Sequence, residues 1–133
     1  MYSNMLISIF LIIIFLLILD GLWLNFFMIK KYRKMIYNIQ GKQLTPRYIP
    51  VVLFYIVYSI SIYLLIFKDN KVKLSNKEIF FKGLIMGISS YATYDLTNLA
   101  LFDKFDTTTA IIDILWGGIY TGITCVLVNS IMK

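Results

Sequence analysis

Three aspartates, Asp20, Asp95 and Asp113, stand inside long apolar runs, where a carboxylate is unusual. Asp95 lies in the string Tyr91-Ala92-Thr93-Tyr94-Asp95-Leu96-Thr97-Asn98. At 100° per residue on a helix, Tyr91, Tyr94, Asp95 and Asn98 share one narrow face, which Gly83 and Gly87 continue one and two turns back. The pattern Asp-x-Leu-Trp occurs twice, from Asp20 to Trp23 and from Asp113 to Trp116. In an apolar medium, carboxylates set among phenols, indoles and an amide can hold a proton. They can also pair by hydrogen bonds or supply oxygen ligands to a hard cation such as Na⁺, Mg²⁺ or Ca²⁺.

Other chemistries are closed to the chain. It has no histidine and one cysteine, Cys125, which removes His-based metal sites, His acid–base catalysis and Ser-His or Cys-His pairs within one chain. Carboxylate and amide oxygens do not suit soft metals, so neither zinc nor haem is expected. The net charge of +6 arises in the gaps between apolar runs. There it marks membrane edges and meets anionic headgroups rather than nucleic acid.

The elements that must position these residues follow from hydropathy. With 59% hydrophobic and 15% charged residues and a mean hydropathy of +0.78, the 133-residue chain reads as one integral membrane domain. Four spans of about 20 residues each cross a core of roughly 30 Å. Helices are expected over about 5–29, 48–67, 79–100 and 108–131, giving an all-α, four-transmembrane-helix antiparallel bundle. The first run lacks the basic start and small-residue exit of a cleaved signal peptide and is read as retained. On it, Asp20 and Trp23 share a face with Leu24 and Phe27.

A first loop with Lys30, Lys31, Arg33, Lys34, Lys42 and Arg47 follows, and it holds no acidic residue. The second loop carries Lys68, Lys71, Lys73 and Lys77 against Asp69 and Glu78. The first loop favours termini outside the cytoplasm, while the second argues the reverse. Helix two carries Pro50 in its first turn, where the missing N–H costs nothing. Tyr48 on this helix suits an interfacial belt, whereas Tyr55 and Tyr58 lie deeper and need hydrogen-bond partners. On helix four, Asp113, Trp116, Gly117, Tyr120 and Thr124 line one face.

Four antiparallel crossings bring the end of helix one, the start of helix two, the end of helix three and the start of helix four to the same membrane face. Asp95 and Asp113 then sit roughly 7 to 8 Å inside, and Asp20 roughly 13 Å, at about 1.5 Å per residue. Each intramembrane Asp costs about 2.5 to 3.5 kcal/mol to insert. No Lys or Arg lies at that depth to pair with one. The expected polar cluster is Asp20, Trp23, Tyr55, Tyr58, Tyr91, Tyr94, Asp95, Asn98, Asp113 and Trp116. Asp20, Asp95 and Asp113 are its candidate ligands for a proton or hard cation.

Three functions fit that cluster. The first is a small proton or cation transporter or channel subunit. The second is a membrane enzyme acting on a lipid or isoprenoid headgroup, with the basic first loop receiving the anionic group. The third is a structural or partner-binding protein in which the polar residues only fix helix register. Gly83-x-x-x-Gly87 would serve a homo-oligomer if that face is not used within the protomer.

The strings Asp20-Gly-Leu-Trp-Leu24, Pro50 with Phe54-Tyr55 and Tyr58, Tyr91-Ala-Thr-Tyr-Asp-Leu-Thr-Asn98, and Asp113 with Trp116-Gly117 cover nearly the whole chain. In these the chain resembles the uncharacterised membrane proteins of domain of unknown function family 2177. Asn25 and the Asp103-Lys104-Phe105-Asp106 loop differ from that family's usual residues. The resemblance implies a four-helix membrane fold and brings no activity or substrate with it.

Overall fold

A computed structural model describes residues 4–68 and 74–132. Residues 69–73, which include Asp69, Lys71 and Lys73 of the second loop, lie outside the described residues. Asn4 opens α1 (Met5–Trp23) by accepting the Ile7 N–H at 3.1 Å. A π-helical turn, Leu24–Met28, leads without a break into α2 (Ile29–Gln40), which Gly41 ends in the left-handed conformation at φ 71°. The chain returns as α3 (Tyr48–Ile62), closed by a second π-helical turn, Tyr63–Phe67.

Ser75 caps α4 (Asn76–Leu101), its hydroxyl oxygen accepting the Glu78 N–H and its hydroxyl donating to the Glu78 carboxylate, both at 3.3 Å. Asp106 caps α5 (Thr107–Ile131), accepting from the Thr109 N–H at 2.9 Å and the Thr109 hydroxyl at 2.6 Å. These bonds hold the Asp106 carboxyl below the usual carboxylate range, helped by Lys31 and Lys34. Its contribution to stability is therefore present at neutral pH and is lost as pH falls through the lowered value.

The described residues form only helices and turns. Three helical rods are long and apolar enough to cross a membrane: Met5–Gln40, Tyr48–Phe67 and Thr107–Ile131. The fourth, α4, has 26 residues and carries Lys77, Glu78, Lys82 and Asp95 along its length.

The end of the first span corrects the sequence reading. Lys30, Lys31, Arg33 and Lys34 belong to a helix rather than a loop, because the rod runs on for 36 residues. At about 1.5 Å per residue it is roughly 54 Å long, far more than a core of roughly 30 Å. The part beyond Ile29 stays helical because Met35 is buried on Phe105 and Ala110, with Tyr32 and Ile39 beside them, while the lysines and Arg33 face outward.

The π turn also shifts the register. Its extra residue turns Phe27 outward and brings Met28 inward, so Phe27 does not share the buried face expected for it. Ring contact between Phe27 and Trp23 survives at 5.5 Å.

Helix α5 is the most buried element, with α1 and α4 packed against it and α3 reaching the core through α1. Ile12, Leu16, Ile62, Tyr120 and Val128 fill the centre. Between α4 and α5 the backbones nearly touch. A Cβ on Gly87 would collide with the Gly117 carbonyl oxygen and lie 2.8 Å from Gly118 Cα, and one on Gly83 would lie 2.8 Å from Gly122 Cα. The Gly83–Gly87 stripe is thus spent within the protomer, and the condition for an oligomer through that face is not met.

The Gly87→Ala protein should lose stability at the upper end of the roughly 1–3 kcal/mol that overpacking costs, since its obstacle is backbone. Gly21→Ala, which meets nothing within 4 Å, should be neutral or stabilising by about 0.5–1 kcal/mol. Denaturation in mixed micelles followed by circular dichroism measures both. Equal effects at the two positions would contradict the close α4–α5 approach.

Candidate functional site

The glycine contact sets the depth and facing of two carboxylates. Asp95 is 1% exposed on the same α4 stripe as Gly83 and Gly87. It comes within hydrogen-bonding reach of Asp113, on the first turns of α5. The first helix supplies a third member, because the Tyr32 hydroxyl donates to Asp113 Oδ1 at 2.5 Å. Among the described residues no basic side chain acts on Asp95, and its Oδ2 is buried with no hydrogen-bond partner among them.

Asp20 has hydrogen-bond partners of its own, while remaining close enough to Asp113 for the two charges to act on each other. Its Oδ2 accepts from the Tyr55 hydroxyl at 2.5 Å and its Oδ1 from Trp116 Nε1 at 3.1 Å. Trp116 is held flat between Trp23, at 4.5 Å and 7°, and Tyr120, at 5.3 Å and 14°. The Tyr120 and Tyr91 hydroxyls are hydrogen-bonded to each other. Tyr58 shares a 2.6 Å bond with Thr121 and stacks on Phe54 at 5.3 Å. Asp20 is therefore satisfied through both oxygens and walled by rings, whereas the Asp95–Asp113 pair keeps a free oxygen.

The expected residues thus separate into two groups. Asp95 and Asp113 meet, with Tyr32. Asp20, Trp23, Tyr55 and Trp116 meet, and Tyr58 and Tyr91 join them through Phe54 and Tyr120. Tyr94 does not turn inward with Asp95. It is 58% exposed, and its ring packs edge-on to Phe105 at 6.4 Å, with Asn98 beside it on the rim. The three aspartates do not gather round one point, and among the described residues no group of three or more acidic, Cys or His side chains could hold a metal ion.

Tyr32 escaped the sequence reading because the basic run around it looked like a loop. Its signal was the spacing Met28, Tyr32, Met35, Ile39, an apolar helical face threaded through the lysines. Tyr120 stood on the expected α5 face, yet its bond to Tyr91 could not be read without the α4–α5 distance.

Two depressions open next to these groups. One, of about 320 Å³, is lined by Phe54 of α3, Ser90, Tyr91 and Tyr94 of α4, and Asp113. The other, of about 540 Å³, lies between α2 and the α4–α5 turn, where Lys31, Lys34 and Lys104 face Asp103 and Asp106.

A double-mutant cycle of Tyr32→Phe with Asp113→Asn should give a coupling of about 0.6–1.7 kcal/mol, the scale of interhelical side-chain bonds in membranes. The same cycle with the exposed Tyr37→Phe should give none. A coupling no larger for Tyr32 than for Tyr37 would remove the bond from the site.

No curated protein and no solved structure matches the chain. The family described as predicted membrane protein DUF2177 matches residues 5–129, which takes in both polar groups and every helix that builds them. The chain belongs to that family and is an integral membrane protein.

Proposed function

We propose that this protein is a small proton-coupled membrane transporter subunit, with the transferable proton held by the Asp95–Asp113 pair. The observation that carries this reading is the contact of two carboxylates in the bundle with no cationic neighbour on Asp95. Two such groups cannot both stay charged in contact, so the pair holds a proton or a cation between its oxygens. The unpartnered Asp95 Oδ2 gives a second proton a place to bind. Tyr32 connects the pair to α2, whose basic face lies beyond the span.

A proton suits the site better than a hard cation. Ca²⁺ and Mg²⁺ take six or more oxygens, and the third aspartate is engaged by Tyr55 and Trp116. Asp20 is the fixed polar group that orients the aromatic wall, while the pair is the group that changes state.

Infrared difference spectra of the purified protein across a pH series test this directly. A carboxylic-acid C=O band should titrate, shift in the Asp113→Asn protein and vanish in the Asp95→Asn protein. Proteoliposomes should show proton flux above empty liposomes that either substitution abolishes. An unchanged band in both variants, or flux that ignores them, would sink the reading.

A second reading, an enzyme acting on a lipid or isoprenoid headgroup, is favoured by the lysine-lined depression beside the α4–α5 turn. It predicts headgroup turnover that disappears in the Asp113→Asn protein.

A further inference from the structure

The shallow 320 Å³ depression is one end of a longer opening. Ser90 lines both it and a neighbouring groove of about 500 Å³ bounded by Leu65, Ile66, Ile85 and Met86. The two share a seam between α3 and α4, whose backbones come closest at the π-helical turn Tyr63–Phe67, while Phe54 and Tyr58 of α3 meet Tyr91 of α4 ring to ring. Elsewhere the seam opens sideways, towards where lipid surrounds the bundle. Its walls are largely apolar. Ser89 and Lys82 also line the second groove, Lys82 two turns before Ser90 and so roughly 12 Å along α4 from it. The charge-bearing group among Phe54, Ser90, Tyr91 and Tyr94 is Asp113. Three aromatic rings and a carboxylate in a dry groove attract one ligand chemistry above others. The ring faces and the carboxylate both favour a positive charge, and the apolar walls favour a large, weakly hydrated one.

We infer that the α3–α4 groove binds a lipophilic organic cation, taken from the bilayer and seated on Asp113 among Phe54, Tyr91 and Tyr94. This deepens the proton-coupled reading and rests on it, because cation and proton would use the same carboxylate pair. With one proton between them, Asp95 and Asp113 carry one negative charge. Entry of a monovalent cation together with loss of that proton leaves the pair doubly negative against one positive charge. Entry with the proton retained leaves the site neutral. A second proton on the pair neutralises it without any cation. Cation and second proton are therefore alternatives, and binding of one expels the other. An anion of equal size would bring its charge against the carboxylate, and a lipid chain would gain nothing from Asp113.

The test uses the full chain in detergent, with tetraphenylphosphonium as the cation and tetraphenylborate as an anion of matching size and shape, both measured by equilibrium dialysis over a pH series. Saturable binding of tetraphenylphosphonium that weakens as pH falls is expected. Under conditions where the pair is doubly protonated, about one proton should be released per cation bound. Tetraphenylborate should not saturate. Asp113→Asn should weaken the cation's affinity about thirtyfold or more, the scale of losing a buried charge partner. Phe54→Ala should weaken it about threefold to tenfold.

If Asp113→Asn does not fold, Ser90→Leu, which fills the groove from a half-buried α4 position beside Tyr58, should block binding in its place. Equal binding of the two probes would mean a greasy groove that takes acyl chains, and it overturns the inference. So does cation affinity that is independent of pH, or unaffected by both Asp113→Asn and Ser90→Leu. The infrared band of cation-free protein separates the two levels. A band that titrates in protein that ignores tetraphenylphosphonium defeats this inference alone, whereas a missing band defeats the proton reading beneath it.

Discussion

Everything at the site depends on how closely α4 and α5 approach. Gly83 and Gly87 on one helix meet Gly117, Gly118 and Gly122 on the other. The space a Cβ would need is filled by α5 backbone at the first two and chiefly by α4 side chains, those of Tyr91, Ile88 and Phe80, at the other three. In lipid, helix association draws little on the hydrophobic effect and much on such contact, because only atoms that touch gain dispersion energy. The approach also has a chemical result. Asp95 lies two turns beyond Gly87 on the same stripe, and Asp113 lies one turn before Gly117, so backbones in contact force the carboxylates together. Larger residues at the glycines would separate the helices and the pair with them. The cost of inserting two acids, about 2.5 to 3.5 kcal/mol each at a span's centre, is thus met by contacts made elsewhere on the same helices.

The first helix completes the site from outside the pair. Were it an uninterrupted α-helix, its buried face would pass from Trp23 to Phe27 and arrive at α2 out of phase. The π turn adds one residue, and Met28, Tyr32, Met35 and Ile39 then follow one another along the α4–α5 turn. One rod therefore delivers Asp20 to the aromatic wall and Tyr32 to Asp113. Its amphipathic end beyond Ile29 keeps the lysines and Arg33 exposed while burying a stripe beneath them.

Much of this was legible in the chain. The four helices and the pairing of Asp20 with Tyr and Trp partners follow from apolar runs and helical spacing, which are local properties. Helix three begins at Asn76 rather than near Ile79 because Ser75 caps it, accepting the Glu78 N–H. The continuation into α2 was hidden because charge density outweighs periodicity when a basic run is read by composition. The division of the aspartates into two groups could not be read at all. Depth along each helix places Asp20, Asp95 and Asp113 in one leaflet, but rotation about the helix axes decides which of them meet, and a π turn changes that rotation without leaving a mark in composition. Tyr94 shows the same limit: it is adjacent to Asp95, yet 100° of helical turn carries it to the rim beside Phe105.

The two polar groups differ in how completely they are satisfied, and that difference sorts their roles. Asp20 accepts from a phenol and an indole that are themselves fixed by stacking, so any change at its carboxyl would disturb three packed rings. Asp113 accepts from one phenol and otherwise faces another carboxylate and an open groove. On the proposed reading, a group that changes state needs a partner it can release and a route to it, and the pair offers both. The same reasoning accounts for the open seam between α3 and α4. If α3 closed on α4 along its length, Asp113 would be sealed behind Phe54 and Tyr91. The backbones come close at the Tyr63–Phe67 turn and elsewhere only side chains meet, Phe54 and Tyr58 on Tyr91, so a groove remains beside Asp113 while the core between α1 and α5 remains filled.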